Sequence, residues 1–255
     1  MPQMFDLKGR VAIITGGNGG IGLGMAGGLA AAGARVVIAA RDEAKSRAAV
    51  ESLSKMGGGA VAIGVDVTDE ASVAAMVKET VRLCGRLDIL VNNAGTNIRK
   101  PAHEVSLDEW RTVMDTNLTS AFLCSRAAYP QMKIAGGGKI INVGSLLSTF
   151  GAAFAPAYGA SKGGLVQLTK SMAVGWAADN IQVNAVLPGW IDTDLSRGAR
   201  RDVPGLEAHV IARTPMGRWG TPDDLAAVAV FLASAASNFI TGAAIPVDGG
   251  YSVSL

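Results

Sequence analysis

Residues 10–22 read RVAIITGGNGGIG, an apolar run rich in isoleucine and valine that passes directly into a cluster of glycines. An apolar run without polar alternation is typical of a β-strand covered on both faces. Glycines after such a strand let backbone amides approach a pyrophosphate, and a following helix adds N-terminal donors and partial positive charge. The loop at residues 15–22 therefore predicts a dinucleotide site, although its GxxxGxG spacing differs from the GxGxxG fingerprint.

The same strand-like composition recurs along the chain, separated by Ala-rich segments of helical length. The predicted strands cover residues 10–15, 34–40, 60–65, 87–91, 139–143, 181–186 and 243–248. This alternation predicts an α/β protein: a doubly wound Rossmann fold with a seven-stranded parallel sheet and helices on both faces. Helix ends are predicted by a capping box at Ser106–Glu109, by Thr221–Pro222 and by Gly33. We expect a single domain over residues 1–255.

Composition narrows the possible partners. The chain is 49% hydrophobic with a net charge of +2, and its basic residues are scattered, so neither nucleic acid nor a membrane surface is expected as a partner. The lone residues Cys84, Cys124, His103 and His209 show no metal-ligand spacing, so no metal site is predicted. With neither a leader nor a membrane span in the sequence, we expect a cytoplasmic protein that binds a small molecule.

The end of the second predicted strand bears on the choice of cofactor. Where a free ribose diol would need a carboxylate, the chain has Ala40 followed by Arg41 and Asp42. Alanine removes charge repulsion, and a guanidinium suits a 2′-phosphate. The prediction is a preference for NADP(H), with NAD(H) as the alternative because a small loop rotation would present Asp42.

The segment YGASK places Tyr158 four residues before Lys162. If residues 158–178 form a helix, both side chains lie on one face, where an ammonium would stabilise a phenolate and bring the phenol pKa toward working pH. Ser145, after the fifth predicted strand, would lie at the same edge of the sheet and bind the substrate oxygen beside Tyr158.

Taken in order, the TGxxxGxG loop, the NNAG tetrapeptide at residues 92–95, Asn117, Ser145 and the Tyr158/Lys162 pair resemble the short-chain dehydrogenase/reductase family over essentially the whole chain. The resemblance implies that Tyr158 is the general acid/base and that Lys162 lowers its pKa and holds the nicotinamide ribose. It implies that Ser145 orients the substrate oxygen and that Asn117 holds a water linking Lys162 to solvent.

The same resemblance implies a set of cofactor contacts. Asp66 would meet the adenine, Asn93 would brace the central sheet, and Pro188–Gly189 with Thr193 would contact the nicotinamide carboxamide. The full predicted cofactor set is Gly16, Asn18, Gly20, Ile21, Gly22, Arg41, Asp66, Val67, Asn93, Ala94, Gly95, Tyr158, Lys162, Pro188, Gly189, Ile191 and Thr193.

For the substrate, the first hypothesis is an NADPH-dependent carbonyl reductase that acts on a ketone of mixed apolar character, with cyclic ketones included. NAGTNIR at residues 93–99 is similar both to tropinone reductases and to gluconate and deoxygluconate dehydrogenases. The alternatives are therefore a polyol or sugar-acid dehydrogenase, a 3-oxoacyl thioester reductase and, from another class, a non-catalytic dinucleotide sensor.

The segment at about 192–214 lacks clear periodicity and predicts a mobile substrate lid. Within it, Arg197, Arg200 and Arg201 indicate either recognition of an anion or an ordinary solvated surface. The family resemblance further implies a homotetramer, with the helices that carry Asn117 and Tyr158 packed between subunits.

Overall fold

A computed structural model describes residues 3–56 and 59–254. Seven strands form one parallel sheet in the order β3-β2-β1-β4-β5-β6-β7, which confirms the predicted fold class. Their bounds are β1 Val11–Thr15, β2 Arg35–Ala40, β3 Ala60–Gly64, β4 Ile89–Asn92, β5 Gly138–Val143, β6 Ile181–Pro188 and β7 Ala244–Val247. The first and last strands belong to the same sheet.

Helices cover both faces of the sheet. Their bounds are α1 Gly20–Ala31, α2 Glu43–Ser54, α3 Glu70–Cys84, α4 Leu107–Met114, α5 Ser120–Ile134, α6 Pro156–Trp176, α7 Asp194–Asp202, α8 Leu206–Arg213 and α9 Ala226–Ala233. The predicted capping box at Ser106 is present, because its Oγ accepts from the backbone N–H of Glu109 and that carboxylate accepts from the Ser106 N–H. Gly33 follows the end of α1 with φ +99°, as predicted.

The strand side chains divide between two cores. In β1, Ala12 and Ile14 face α1 and α9, whereas Val11 and Ile13 face α3, α5 and α6. All four are buried, because helices cover the sheet on both sides. The continuous apolar runs in the sequence therefore reflect burial on both faces.

Helices α4 and α5 are joined by one turn of π-helix at Asp115–Thr119, and Asn117 lies within it. Single π-turns inside α-helices are rare and concentrate at functional sites. Nothing in the local sequence predicted this turn.

The segment beyond Ile191 contains two helices, α7 and α8, where the sequence showed no periodicity. Their apolar residues pack in a small cluster of their own, made of Ala199, Leu206, Val210 and Trp219 with Trp190 and Val203 against it. The ends of the segment meet in a parallel bridge between Ile191 and Gly220. Residues 192–219, here called the lid, therefore form a helical segment outside the sheet, and the bridge holds its two ends together.

No helix within residues 3–56 and 59–254 is long and apolar enough to cross a membrane. Across the same residues, no group of three or more His, Cys, Asp or Glu side chains is arranged to hold a metal ion.

Candidate active site

The glycine loop lies at the carboxyl end of β1 and leads into the N-terminus of α1. Gly16 and Gly20 have φ values of +61° and +50°, in the left-handed region that favours glycine. A Cβ atom at Gly22 would lie 2.4 Å from Asn93 Nδ2, so a larger residue cannot fit there. Ile21 instead packs against the core beneath the loop.

The NNAG segment is tied to this loop by hydrogen bonds. Asn93 Nδ2 donates to Thr15 O and to Gly16 O, both at 3.0 Å. The Asn93 and Ala94 backbone N–H groups donate to Thr15 Oγ1 at 3.0 and 3.1 Å. Asn93 thus braces β4 against the glycine loop, the position that the sequence prediction gave it.

The end of β2 presents one cation and one carboxylate, and the two have different surroundings. Asp42 is the N-cap of α2, and its Oδ1 accepts a hydrogen bond from the backbone N–H of Lys45 at 2.9 Å. Asn18 lies against the same turn, where Nδ2 donates to Ser46 Oγ at 3.2 Å. Arg41 is exposed, and its charge lies close enough to Asp66 to act on that carboxyl.

Asp66 follows β3 and is fixed by its neighbours. Its Oδ1 accepts from the Thr68 N–H at 3.0 Å and from Thr68 Oγ1 at 2.7 Å, and these bonds hold the pKa of Asp66 below its usual value. Val67 is buried in the core on this side of the sheet. The residues predicted to surround the adenine therefore lie at one end of the sheet edge beside Arg41.

Ser145 and Tyr158 meet where β5 ends and α6 begins. Burial raises the pKa of the Tyr158 phenol, whereas the polar side chain of Ser145 and the positive charge of Arg99 act to lower it. Ser145 Oγ accepts from the Leu147 N–H at 3.1 Å, which fixes the position of its hydroxyl. The predicted proton-transfer pair is thus assembled in the folded chain.

Lys162 lies on the same face of α6, 5.6 Å from the centre of the Tyr158 ring. Its Nζ donates to Val143 O at 2.6 Å, and burial lowers the pKa of Lys162 to about 8. An added Cβ at Gly95 would lie 3.6 Å from this Nζ and 3.2 Å from Asn117 Oδ1. The chain therefore brings Tyr158, Lys162, Gly95 and Asn117 together.

Asn117 is buried, and hydrogen bonds to protein groups use most of its amide. Nδ2 donates to Thr96 O at 2.9 Å and to Ser161 Oγ at 3.0 Å, while Oδ1 accepts from the Thr96 N–H at 2.7 Å. Both amide hydrogens are therefore occupied. A relay water at Asn117 would therefore have to donate its hydrogen bond to Oδ1. The water relay stays a prediction.

The end of β6 leads to the start of the lid. The Gly189 N–H donates to Val247 O at 3.0 Å, and Ile191 is buried at the base of the lid. Thr193 caps α7, and its Cγ2 lies 3.2 Å from the position of an added Cβ at Gly20. The chain thus runs from the carboxyl end of β6, at Pro188 and Gly189, to Thr193 beside the glycine loop.

The lid arginines are engaged mainly within the lid. Arg197 pairs with Asp192 and Asp194, with N···O distances of 3.1 and 3.2 Å. Arg200 stacks 3.8 Å above the Trp219 ring and approaches Asp192 at 3.4 Å. Arg201 is exposed. These contacts favour a structural role for Arg197 and Arg200 over anion recognition.

Arg99 has a place in the site that sequence reasoning did not assign. Its Nη2 donates to Leu195 O at 2.8 Å, Nη1 lies 3.6 Å from Asp202 Oδ2, and its charge reaches Tyr158. The sequence feature that could have indicated this place is the position of Arg99 at the end of NAGTNIR. Arg99 connects the lid to the proton-transfer pair.

These residues fit a nicotinamide dinucleotide. The glycine positions leave room for close backbone approach, the N-terminus of α1 faces the loop, and Arg41 supplies a cation where the adenosine ribose would lie. Tyr158 and Lys162 stand at the other end of the same edge. The arrangement suits hydride transfer coupled to proton transfer at a carbonyl or carbinol oxygen.

Comparison with known proteins agrees with this chemistry. A family model described as enoyl-(acyl carrier protein) reductase matches residues 16–252. The chain is 42% identical over 252 residues to a 2-dehydro-3-deoxy-D-gluconate 5-dehydrogenase from Pseudoalteromonas atlantica, covering 98% of this chain and 99% of the relative. It is 38% identical over 256 residues to a tropinone reductase homolog from Arabidopsis thaliana, covering 98% and 95%.

Among solved structures, a gluconate 5-dehydrogenase from Burkholderia cenocepacia in complex with NADP and tartrate superimposes with a TM-score of 0.94 at 40% identity. The match covers 99% of this chain and 98% of that one. The chain therefore belongs to the short-chain dehydrogenase/reductase family and is an NAD(P)-dependent oxidoreductase of the class that acts on CH–OH and C=O groups.

Proposed function

We propose that this enzyme interconverts a secondary alcohol and a ketone on a sugar acid of the gluconate type, with NADP(H) as cofactor. The observation that carries the proposal is Arg99, a guanidinium that acts on Tyr158 and binds the lid. A guanidinium whose charge acts on the phenol of Tyr158 suits a substrate that carries a carboxylate, because guanidinium and carboxylate form charge-assisted hydrogen bonds.

The similar proteins support a sugar acid over the ketone of mixed apolar character that the sequence analysis placed first. Two of them are named as dehydrogenases of gluconate or of 2-dehydro-3-deoxy-D-gluconate. Trp190, an aromatic residue at the base of the lid, packs on Trp219 with ring centres 5.4 Å apart and belongs to the apolar cluster of the lid. A cyclic ketone remains the second candidate, on the similarity to the tropinone reductase homolog.

The preference for NADP(H) rests on the end of β2. Asp42 is the residue that would favour a free ribose diol, but its side chain caps α2. Arg41 is exposed beside it and suits a 2′-phosphate. The Burkholderia cenocepacia structure, whose fold this chain shares, contains NADP.

In the proposed mechanism the bound nicotinamide accepts or supplies the hydride. Tyr158 takes the proton from the alcohol oxygen during oxidation and returns it to the ketone oxygen during reduction. Ser145 holds the reacting oxygen beside Tyr158, while Lys162 supplies positive charge and binds the ribose. Asn117 fixes the backbone at Thr96 through two hydrogen bonds. It lies beside the proposed path of the proton to solvent. The remaining predicted cofactor residues are proposed in the roles given in the sequence analysis.

We also propose that the enzyme is a homotetramer. Apolar side chains are exposed on the helices expected at the subunit contacts, among them Leu107 and Trp110 on α4, Phe122 on α5 and Val174 on α6. Burying exposed apolar surface favours association. Light scattering at working concentration is expected to give four chains, and a monomer would contradict the assembly.

Replacing Tyr158 with Phe tests the proposed chemistry. The substitution removes the hydroxyl and keeps the ring, so oxidation of a sugar acid is expected to fall by about 10² to 10⁴. NADPH binding, measured by fluorescence titration, is expected to stay within about twofold of wild type. Unchanged turnover would overturn the role of Tyr158.

A further inference from the structure

Lys45 lies over the glycine loop and was assigned no role from the sequence. It belongs to the first turn of α2. A Cβ added at Gly19 would lie 3.2 Å from Lys45 Cε and 3.3 Å from Nζ. The lysine side chain therefore occupies the space that a side chain at Gly19 would fill.

The ammonium of Lys45 reaches across to the lid. Its Nζ lies 3.0 Å from Oδ2 of Asp194, the first residue of α7. The two side chains are 49% and 74% exposed, and ion pairs this exposed contribute little to stability. The pair is therefore free to exchange for another partner at small cost to the fold.

The position of Lys45 relative to Arg41 suggests what that other partner is. Both cations belong to the connection from β2 into α2, where the adenosine ribose of a dinucleotide binds in this fold. The carboxylate between them, Asp42, is held in the N-cap of α2. A dianionic phosphate on the ribose would find two cations there, and among the described residues the acid that pairs with Lys45 is Asp194.

We propose that Lys45 is a second residue that reads the 2′-phosphate of NADP(H), and that Asp194 competes with this phosphate for the Lys45 ammonium. The inference rests on the proposed NADP(H) preference and goes beyond it. It also connects the adenosine end of the cofactor to the substrate lid, because a 2′-phosphate that draws Lys45 away removes one of the ion pairs of Asp194 at the start of α7.

A pair of ligands isolates the 2′-phosphate. Adenosine 2′,5′-bisphosphate and ADP carry similar charge, but only the first places a phosphate on the 2′ oxygen. Calorimetric titration of both would be carried out on wild type, Lys45→Met, Asp194→Asn and a matched control, Lys55→Met. Lys55 lies at the other end of α2, where its Nζ is 4.0 Å from Glu51 Oε1.

Wild type is expected to bind the 2′,5′-bisphosphate more tightly than ADP. Lys45→Met is expected to weaken the bisphosphate about tenfold and ADP less than twofold, because a hydrogen bond to a charged group is lost only with the former. Asp194→Asn is expected to tighten the bisphosphate about threefold, since an exposed competing ion pair is removed. Lys55→Met should match wild type.

The outcomes separate this inference from the cofactor proposal. If wild type does not distinguish the two ligands, the NADP(H) preference itself fails. If wild type does distinguish them and Lys45→Met behaves like Lys55→Met, the role of Lys45 fails while the preference stands. Equal weakening of both ligands would assign Lys45 to the 5′ phosphates and would also overturn the inference.

Trypsin provides a readout of the lid that does not depend on turnover. The lid contains several arginines, including Arg197 and Arg201, both exposed. If the 2′-phosphate draws Lys45 from Asp194, saturating 2′,5′-bisphosphate is expected to speed cleavage at these arginines in wild type and to leave the rate in Asp194→Asn unchanged. Equal rates in wild type with and without the bisphosphate would contradict the coupling.

Discussion

Arg99 opposes the effect of burial on Tyr158. Burial raises the pKa of the phenol, whereas the Ser145 side chain and the guanidinium charge of Arg99 act to lower it. The same guanidinium donates to Leu195 O in the lid. The proton-transfer group and the lid are therefore connected through one side chain, and a change at Arg99 should affect both proton transfer and substrate binding.

Arg99→Met is expected to move the acid limb of the pH profile for alcohol oxidation to higher pH. Oxidation needs the deprotonated phenol, and loss of the positive charge raises the pKa of Tyr158. KM for a sugar acid is expected to rise about tenfold or more, because the substrate carboxylate loses its partner. The measurement is kcat/KM against pH.

Two further variants control for structural damage at Arg99. Arg99→Lys keeps the positive charge, so its acid limb should lie close to the wild-type position. Its KM should stay high, because lysine lacks the guanidinium fork. Arg197→Met removes a lid arginine that pairs with Asp192 and Asp194, and its pH limb should stay in place. Identical limbs in wild type and Arg99→Met would disprove the electrostatic connection.

Arg41→Met is expected to lower kcat/KM for NADPH about tenfold or more and to leave the value for NADH within about twofold. The reason is that only NADPH carries the 2′-phosphate that the guanidinium would bind. Initial rates with both cofactors check this. Equal efficiency with NADH and NADPH in the wild-type enzyme would show that Arg41 does not set the preference.

The fold, and which residues meet at the candidate site, could be predicted from the sequence because each depends on local signals, whereas the catalytic roles stay predictions. Apolar runs marked the strands, and the glycine loop, Ser145 and the Tyr158/Lys162 spacing marked the site. What the sequence could not show depends on contacts between distant residues. The reach of Arg99 to Leu195 is of this kind. The capping of α2 by Asp42 is a local contact, to the backbone N–H of Lys45, that the sequence analysis did not assign.

The lid illustrates a second limit. Residues 192–214 lacked periodicity because α7 is short and strongly polar, and because its partners, such as Trp219, come from later in the chain. The cluster forms only when the segment folds back on itself, which a local pattern does not record. The π-turn at Asn117 was missed for a similar reason, since a tertiary network of hydrogen bonds holds that side chain.

Lys162→Met is expected to abolish turnover and to change how stability depends on pH. Burial lowers the pKa of Lys162 from 10.5 to about 8, a change worth about 3 kcal/mol at most. The unfolded chain therefore binds more protons between these two values, and wild-type stability rises with pH across that window.

The measurement for Lys162 is the melting temperature of wild type minus that of Lys162→Met. This difference is expected to increase as pH rises from about 8 to 10.5. Below pH 8 it is expected to stay constant, because the cost of burying the ammonium is fully present there. Other titrating groups are common to both proteins and cancel. A difference that does not change from pH 7 to 10 would contradict a buried, shifted lysine.

Asp88→Asn is expected to destabilise the opposite end of the sheet by about 2 to 3 kcal/mol, roughly 5 to 10 °C in melting temperature. Asp88 is 3% exposed and accepts from Arg10, Arg86 and the Val11 N–H. Burial acts to raise its pKa, but the Arg86 and Arg10 hydrogen bonds outweigh this and hold the pKa of Asp88 low.

The sign of the Asp88 effect follows from that lowered pKa. Its contribution to stability is present above the unfolded pKa and is lost as pH falls through the folded value. Melting curves of Asp88→Asn and wild type should therefore converge in acid. Asp223→Asn, at an exposed surface position, serves as the matched control and should stay within about 0.5 kcal/mol of wild type.

The most direct test of the proposed function is the initial rate of NADP⁺ reduction across matched alcohols. The panel would contain gluconate, 2-dehydro-3-deoxygluconate, the neutral polyol sorbitol and neutral cyclic alcohols. The account predicts the highest kcat/KM with a sugar acid, and a loss of that advantage in Arg99→Met. Turnover of neutral cyclic alcohols with none of the sugar acids would contradict it and would restore the apolar ketone as the substrate.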